Sequence, residues 1–313
     1  MTHTAVVVGS GPNGLAAAIV LATAGLDVTV LEAADEIGGG TRSAELTLPG
    51  LVHDVCSAIH PMGVASPFLQ SLDLGRHGLE WMYPEVDAAH PLDGGRAGVL
   101  FHDLDRTVDH LGVDGPAWRR LFEPMVDHAD DLMSELLGPI LHVPRHPVQL
   151  ARFGLRALLP ATAVARRWKT DEARGLFAGL AAHAIRPLDS ATTGGLGITF
   201  GVTSHGYGWP AAKGGSAAIS RAMAAELAEH GGRIETGHHV TELPHADVVM
   251  FDTSPSAAAD IAGDRVPTRI ARALRRWKSG PGVFKVDLAV QGGVPWTNEW
   301  CHRAGTLHLG GTI

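Results

Sequence analysis

The chain has 313 residues, of which 45% are hydrophobic, and a formal net charge of −8 at pH 7. This composition predicts one large or two medium globular domains and excludes a disordered or fibrous chain. The negative charge excludes a general nucleic-acid binder, because such proteins usually present a basic face. Two cysteines cannot build a disulfide scaffold and favour the cytoplasm. The 18 histidines show no metal-binding spacing, so we predict no metal site.

The first elements predict a β-α-β unit. Residues Thr4 to Val8 are β-branched and apolar, which is typical of a buried parallel strand. Residues Leu15 to Ala24 are rich in alanine and predict a helix that ends at Gly25. A second β-branched run, Val28 to Leu31, completes a unit of about 30 residues, the usual size of this motif.

A glycine motif lies between the first strand and the helix. Residues Gly9, Gly11 and Gly14 form the pattern G-x-G-x-x-G, with Ser10, Pro12 and Asn13 at the variable positions. In this motif the first glycine permits a tight turn, the second admits a pyrophosphate, and the third packs helix on strand. We therefore predict dinucleotide binding at the N-terminus of the helix.

The second strand is followed by Glu32, which lies 18 residues after Gly14. A carboxylate at this position can accept both ribose hydroxyls of an adenosine and disfavours a 2′-phosphate. The fingerprint alone does not distinguish NAD from FAD.

The segment that follows suggests which dinucleotide binds. It resembles the corresponding segment of flavoproteins in the amine-oxidase and phytoene-desaturase superfamily, and the whole chain resembles their phytoene dehydrogenase-related group. The residues concerned are Glu32, Ala33, Gly38, Gly39, Gly40, Thr41 and Arg42, followed by three further stretches, 209–216, 231–240 and 246–255. The resemblance implies FAD as cofactor, with the glycines near its pyrophosphate and Val240 at its adenine.

The chain departs from that family in two respects. Many relatives have an arginine directly after the glycine pair, where this chain has Gly40, with Arg42 two positions later. Relatives also continue well beyond this length, so the resemblance implies that the family's C-terminal part is lacking. In the family that part closes the site around the flavin.

Later elements are predicted from apolar periodicity and glycine positions. They are helices at 116–137 and 216–229, strands at 233–235, 239–243 and 247–251, and glycine-rich segments at 38–66 and 190–215. The predicted fold class is α/β, with a Rossmann-like FAD/NAD(P)-binding domain (a parallel sheet with helices) and an α+β substrate domain inserted in it. The predicted bounds are 1–66 and 213–262 for the FAD domain, and 67–212 and 263–313 for the substrate domain.

Residues 136–170 contain no aspartate or glutamate but five arginines and one lysine among many apolar residues. One hypothesis is peripheral contact with an anionic membrane surface. The alternative is an ordinary solvated basic face on a helical insert.

The resemblance predicts an oxidoreductase in which FAD exchanges a hydride with a small hydrophobic substrate, as in phytoene desaturation. The alternatives are a non-catalytic nucleotide-binding protein and an NAD-dependent dehydrogenase. No catalytic residue is predicted. Asp54, Cys56 and His60 follow the glycines and are possible substrate-side residues. For Cys56 a buried thiol is the favoured interpretation, and for His60 a structural histidine.

Overall fold

The computed structural model describes residues 2–139 and 141–313. They divide into two compact units. The first comprises the residues up to Ala58, Leu72–Glu80 and Ala212–Ala289, and the second comprises Ile59–Ser71, Trp81–Ala211 and Val290–Ile313. The units differ from the predicted domain bounds in four places, because 59–66 lies in the second unit whereas 72–80, Ala212 and 263–289 lie in the first. The functions assigned to the two domains stay predictions.

The described residues form eleven strands and thirteen α-helices. The strands are β1 Thr4–Val8, β2 Asp27–Leu31, β3 Ser43–Glu45, β4 Val52–Asp54, β5 Trp81–Met82, β6 Val86–Pro91, β7 Ala97–Leu100, β8 Ala211–Ala212, β9 Arg233–Glu235, β10 Val248–Phe251 and β11 Ala304–Leu307. The helices are α1 Pro12–Thr23, α2 Pro61–Val64, α3 Pro67–Gln70, α4 Leu104–His110, α5 Gly115–Val126, α6 Ala129–Leu136, α7 Pro147–Ala157, α8 Ala161–Ala165, α9 Asp171–Ala182, α10 Thr193–Tyr207, α11 Ala217–Glu229, α12 Pro255–Ala262 and α13 Thr268–Arg275.

The first unit is built on a four-stranded parallel sheet of order β10-β1-β2-β9. Val8, at the end of β1, pairs with Leu31 of β2 and Phe251 of β10. β2 lies on one side of β1 and β10 lies on the other side, so the strand order reverses at β1. In parallel sheets such a reversal leaves a crevice at the carboxyl ends of the strands, where ligands bind.

Helix α1 follows β1 closely because its sequence supplies both helix signals. Pro12 occupies the first turn, where its missing N–H is not needed, and Gly25 follows the helix with a φ of +88°. Leu15 and Ile19 lie on its buried face, and each contributes about 1.5–3 kcal/mol by leaving water. The predicted β-α-β unit is therefore present, with the helix beginning at Pro12 rather than Leu15.

The second unit combines a small sheet with a helical core. Its sheet has the order β11-β6-β7, in which β6 is parallel to β11 and antiparallel to β7. The core centres on the fully buried side chains of Trp118, Phe122, Trp168 and Phe177. The pattern predicted as one helix, 116–137, forms two helices, α5 and α6. No helix in the part of the chain that the structure describes is long and apolar enough to cross a membrane.

Candidate functional site

A cavity of about 730 Å³ opens in the first unit at the carboxyl ends of β1, β2 and β10. Of the predicted cofactor-binding residues, it is lined by Gly9, Gly11, Pro12, Asn13, Glu32, Ala33, Gly39, Gly40 and Val240. Gly14, Gly38, Thr41 and Arg42 are not part of its lining. The structure thus gathers most of the sequence-predicted site in one place.

The loop from Gly9 to Gly14 is shaped by contacts that exclude larger side chains. Gly9 has a φ of +102°, which side-chain-bearing residues rarely adopt. A Cβ on Gly14 would lie 2.3 Å from the Gly9 carbonyl oxygen, so a glycine is required where α1 meets β1. Because the amide groups of the first turn of a helix lack intrahelical partners, this end of α1 can bind an anion.

Glu32 is fixed at the end of β2 by three hydrogen bonds. Its Oε2 accepts from the Ser10 amide at 2.9 Å and the Ser10 hydroxyl at 2.6 Å, and its Oε1 accepts from the Ala34 amide at 2.9 Å. Burial raises the pKa of Glu32, but these bonds and the charge of Arg42 outweigh it, so the net shift is downward. The group is an anion at neutral pH.

The same bonds limit what else Glu32 can accept. A carboxylate has about four lone-pair sites, and three are already used within the protein. One site therefore remains for a ribose hydroxyl, unless the Ser10 hydroxyl turns away. The sequence-based expectation that Glu32 accepts both hydroxyls holds only in that second case.

The glycine segment after Glu32 folds back onto the loop that follows β1. The Gly38 amide donates to the Ser10 carbonyl at 3.0 Å, and a Cβ on Gly39 would lie 3.1 Å from the Gly11 Cα. Thr41 donates to the Gly38 carbonyl at 2.8 Å and contacts the Ser220 hydroxyl. Thr41 thus holds the segment in place, without lining the cavity.

Arg42 also supports this segment. Its Nε donates to the Gly39 carbonyl at 3.1 Å, in a position outside the cavity lining. The sequence leaves open whether Arg42 replaces the family's arginine beside the flavin, and its role toward a cofactor stays a prediction.

Val240 lines the cavity, but not as part of a strand. The predicted strand 239–243 is wrong, because these residues adopt no regular structure. The amides of Gly237 and His238 instead donate to the carbonyls of Ala34 and Glu32, at 2.9 and 2.8 Å. The chain therefore passes beside the end of β2, which brings Val240 to the cavity.

Asp252 is a cavity residue that the sequence analysis missed. It directly follows β10, and its Oδ2 lies 2.5 Å from where a Cβ of Gly11 would be. A carboxylate therefore lies beside the predicted pyrophosphate loop. Its position directly after an apolar strand is the one sequence feature that could have indicated it. The pairing of β10 with β1 joins residues about 240 positions apart, so no local sequence pattern shows that this strand ends at the cavity.

Asp54, Cys56 and His60, which follow the glycine segment, do not line the cavity. Asp54 accepts from the Ser43 hydroxyl at 2.7 Å and the Ser216 amide at 2.6 Å. The expectation of a buried Cys56 thiol is wrong, because this residue is exposed. His60 is buried in the second unit, where its amide donates to the Pro210 carbonyl at 2.9 Å.

One group of potential metal ligands occurs among the described residues, formed by His77, Glu226 and Glu229 within 4.8 Å of one another. The guanidinium of Arg76 lies 2.6 Å from Glu226 and 2.9 Å from Glu229. Because one guanidinium already forms ion pairs with both carboxylates, we interpret the group as an ion-pair network. The absence of a metal site stays a prediction.

Comparison with known proteins supports the fold. Residues 7–72 match the family described as NAD(P)-binding Rossmann-like domain. Over 188 residues the chain is 28% identical to hydroxyneurosporene desaturase of Rubrivivax gelatinosus, a match that covers 54% of this chain and 34% of the desaturase. The sequence-based resemblance to desaturases is thereby confirmed.

Two solved oxidases have a similar structure. A putrescine oxidase bound to putrescine has a TM-score of 0.53 and 23% identity, covering 88% of this chain and 63% of the oxidase. Cyclohexylamine oxidase of Brevibacterium oxydans has a TM-score of 0.52 and 20% identity, with the same coverages of 88% and 63%. The chain spans less than two thirds of each of these relatives. The predicted fold class is confirmed.

Proposed function

We propose that this chain carries the FAD-binding site of an oxidoreductase that exchanges a hydride between a hydrophobic organic substrate and the flavin. The observation that carries the proposal is the contact of Gly38 and Gly39 with the loop after β1, beside the cavity that Gly39 and Glu32 line. The likeness of the chain to a desaturase supports it. When bound, FAD would supply the hydride-accepting ring.

The residues present fit such a group. The cavity volume lies within the roughly 300–1,000 Å³ that is usual for ligand sites. Glu32 would accept a ribose hydroxyl, and Gly11 with the N-terminus of α1 would face the pyrophosphate. Gly39 and Gly40 would leave room for the flavin-side half of the dinucleotide, and Val240 would contact the adenine. Gly14, Gly38, Thr41 and Arg42 would shape this site from outside the cavity.

The substrate and location are narrower proposals. We propose dehydrogenation of an isoprenoid-like compound because the curated relative is named as a desaturase. We further propose that this compound binds in the second unit. We also propose a cytoplasmic location, since both Cys56 and Cys301 are free.

The experiment that tests the proposal is a visible absorption spectrum of the natively purified chain, with the released cofactor identified by mass spectrometry. We expect about one FAD per chain, and reduction of that flavin under anaerobic conditions by a hydrophobic substrate. Bound NAD would indicate the alternative dehydrogenase, and bound FAD that no substrate reduces would indicate a non-catalytic protein. Failure to bind added FAD would contradict the assignment of the site.

Asp252 provides a prediction about cofactor affinity. Its carboxylate lies beside the loop that would face the pyrophosphate, so like charges oppose each other there. We expect Asp252→Asn to tighten FAD binding about 5-fold, since the repulsion of two unit charges about 4 Å apart costs about 1 kcal/mol at the dielectric constant of water. Fluorescence titration with FAD at low and high salt measures it, and the gain should shrink at high salt. Weaker binding by the variant would show that Asp252 supports the cofactor.

A further inference from the structure

A surface of the second unit combines exposed apolar side chains with a pocket of arginines. Helix α7 and its flanking residues carry the apolar part. The basic part consists of one arginine each from α5, from α7 and from the residues after α8. All of these residues belong to the same compact unit. We call this region, residues 141–167 together with Arg120, the α7 surface.

The apolar side chains of the α7 surface are unusually exposed. Relative exposures are 66% for Val148, 77% for Leu155 and 68% for Leu158, and the preceding segment adds Leu141 at 94% and Val143 at 88%. Val148 and Leu155 lie on one face of α7 because they are seven positions apart. Ala157 is the one buried residue of this helix. Water contact at so many large apolar groups indicates a binding surface.

The basic part of the surface is a pocket of about 390 Å³. It is lined by the guanidinium-bearing residues Arg120, Arg156 and Arg167, with Ala117 and Leu121. Within residues 2–139 and 141–313, none of these three arginines has a carboxylate within ion-pair distance. Burial, and then the charge of Arg156, lowers the pKa of Arg167. Three unpaired cations around one pocket favour a multiply bonded anion such as a phosphate ester.

Arg152 and Arg156 extend along α7 beside the apolar stripe, at positions four and eight after Val148. Helices that lie in a membrane interface have this arrangement, because their apolar face enters the acyl boundary while arginines contact anionic headgroups. Because 136–170 contains no aspartate or glutamate, no side chain of this segment itself repels such headgroups. A soluble anion would use the pocket but would leave Leu155 and Leu158 in water.

We propose that the α7 surface binds membranes that contain anionic phospholipid, with Val148, Leu155 and Leu158 in the interface and the arginine pocket on a lipid phosphate. This assignment is independent of the proposed flavin chemistry, because the residues of the surface belong to the second unit and the cavity-lining residues belong to the first.

Sedimentation with vesicles of phosphatidylcholine, with or without about one third phosphatidylglycerol, tests the proposal on the full chain. We expect binding to the anionic vesicles only, weakened by salt. The triple variant Arg120→Gln, Arg156→Gln and Arg167→Gln should bind about 100-fold more weakly, since each cation near an anionic surface contributes about 5-fold. The double variant Val148→Ser and Leu155→Ser should bind about 30- to 100-fold more weakly.

Matched controls keep the test specific. Replacing Arg269, Arg272 and Arg276 by glutamine removes three exposed cations in the first unit, and Val113→Ser with Leu309→Ser removes two exposed apolar groups elsewhere in the second. Both controls should bind vesicles like the unaltered chain, and circular dichroism should show every variant folded. The proposal is overturned by equal binding to neutral vesicles, by stabilisation with inorganic phosphate without vesicle binding, or by a dimer that the Val148→Ser and Leu155→Ser variant dissociates.

Discussion

Replacement of Glu32 by alanine is expected to weaken FAD binding about 10- to 100-fold. The carboxylate is ionised and fixed at the end of β2, where it retains one lone-pair site for a ribose hydroxyl. Hydrogen bonds to a charged group contribute about 1.5–3 kcal/mol, which corresponds to this loss of affinity. Titration of the apoprotein with FAD, followed by flavin fluorescence, measures the dissociation constant.

Glu36 provides the matched control, because it is an exposed glutamate of the same segment that does not line the cavity. Glu36→Gln should leave the dissociation constant unchanged. Ser10→Ala offers a second comparison, since loss of its hydroxyl frees another acceptor site on Glu32 and should not weaken binding. Unchanged affinity in Glu32→Ala, with the melting temperature preserved, would remove Glu32 from the site.

The part of the site that the sequence predicts well is the part built from neighbouring residues. β1, α1 and β2 are joined by short turns, so periodicity, Pro12 and Gly25 indicate each element directly. The glycine pattern has one steric explanation at each position, and the structure places Gly9 and Gly11 at the cavity. Local patterns, together with the family resemblance, therefore predicted the fold class and nine of the twenty residues that line the cavity.

Residues brought together by distant pairing could not be predicted in the same way. Asp252 reaches the cavity only because β10 pairs with β1. The strand expected at 239–243 does not form, and the preceding amides of Gly237 and His238 bond near the end of β2 instead. Alternation predicts that a strand can form, but the partner strand decides whether it does.

Helix α10 shows how packing can override local preference. Its sequence contains several glycines, which disfavour helix formation, and the sequence analysis described the region only as glycine-rich. A Cβ on Gly201 would lie 2.2 Å from the Phe122 ring, so glycine is needed for the close approach of α10 to α5. The energy of this packing appears only in the folded core.

A buried histidine of α10 should make the stability of the protein depend on pH. The Trp118 indole donates to Nε2 of His205 at 3.0 Å, so this nitrogen is unprotonated, and Nδ1 donates to the His102 carbonyl at 3.1 Å. Burial lowers the pKa of His205 to about 4 from an ordinary value of 6.5. Between these values the unfolded chain takes up a proton that the folded chain does not. Stability is therefore lost as pH falls from 6.5 toward 4.

We expect His205 to account for about 2–3 kcal/mol of this loss between pH 7 and pH 4.5. Urea unfolding of the chain and of His205→Gln at both pH values measures it, because glutamine cannot titrate and the variant should lose less stability. The comparison with the variant is needed because burial also raises the pKa of Asp87 to about 6, which acts in the opposite direction. His302→Gln, an exposed histidine of the same unit, serves as the control. Equal losses in the unaltered chain and His205→Gln would show that His205 is protonated inside the folded protein.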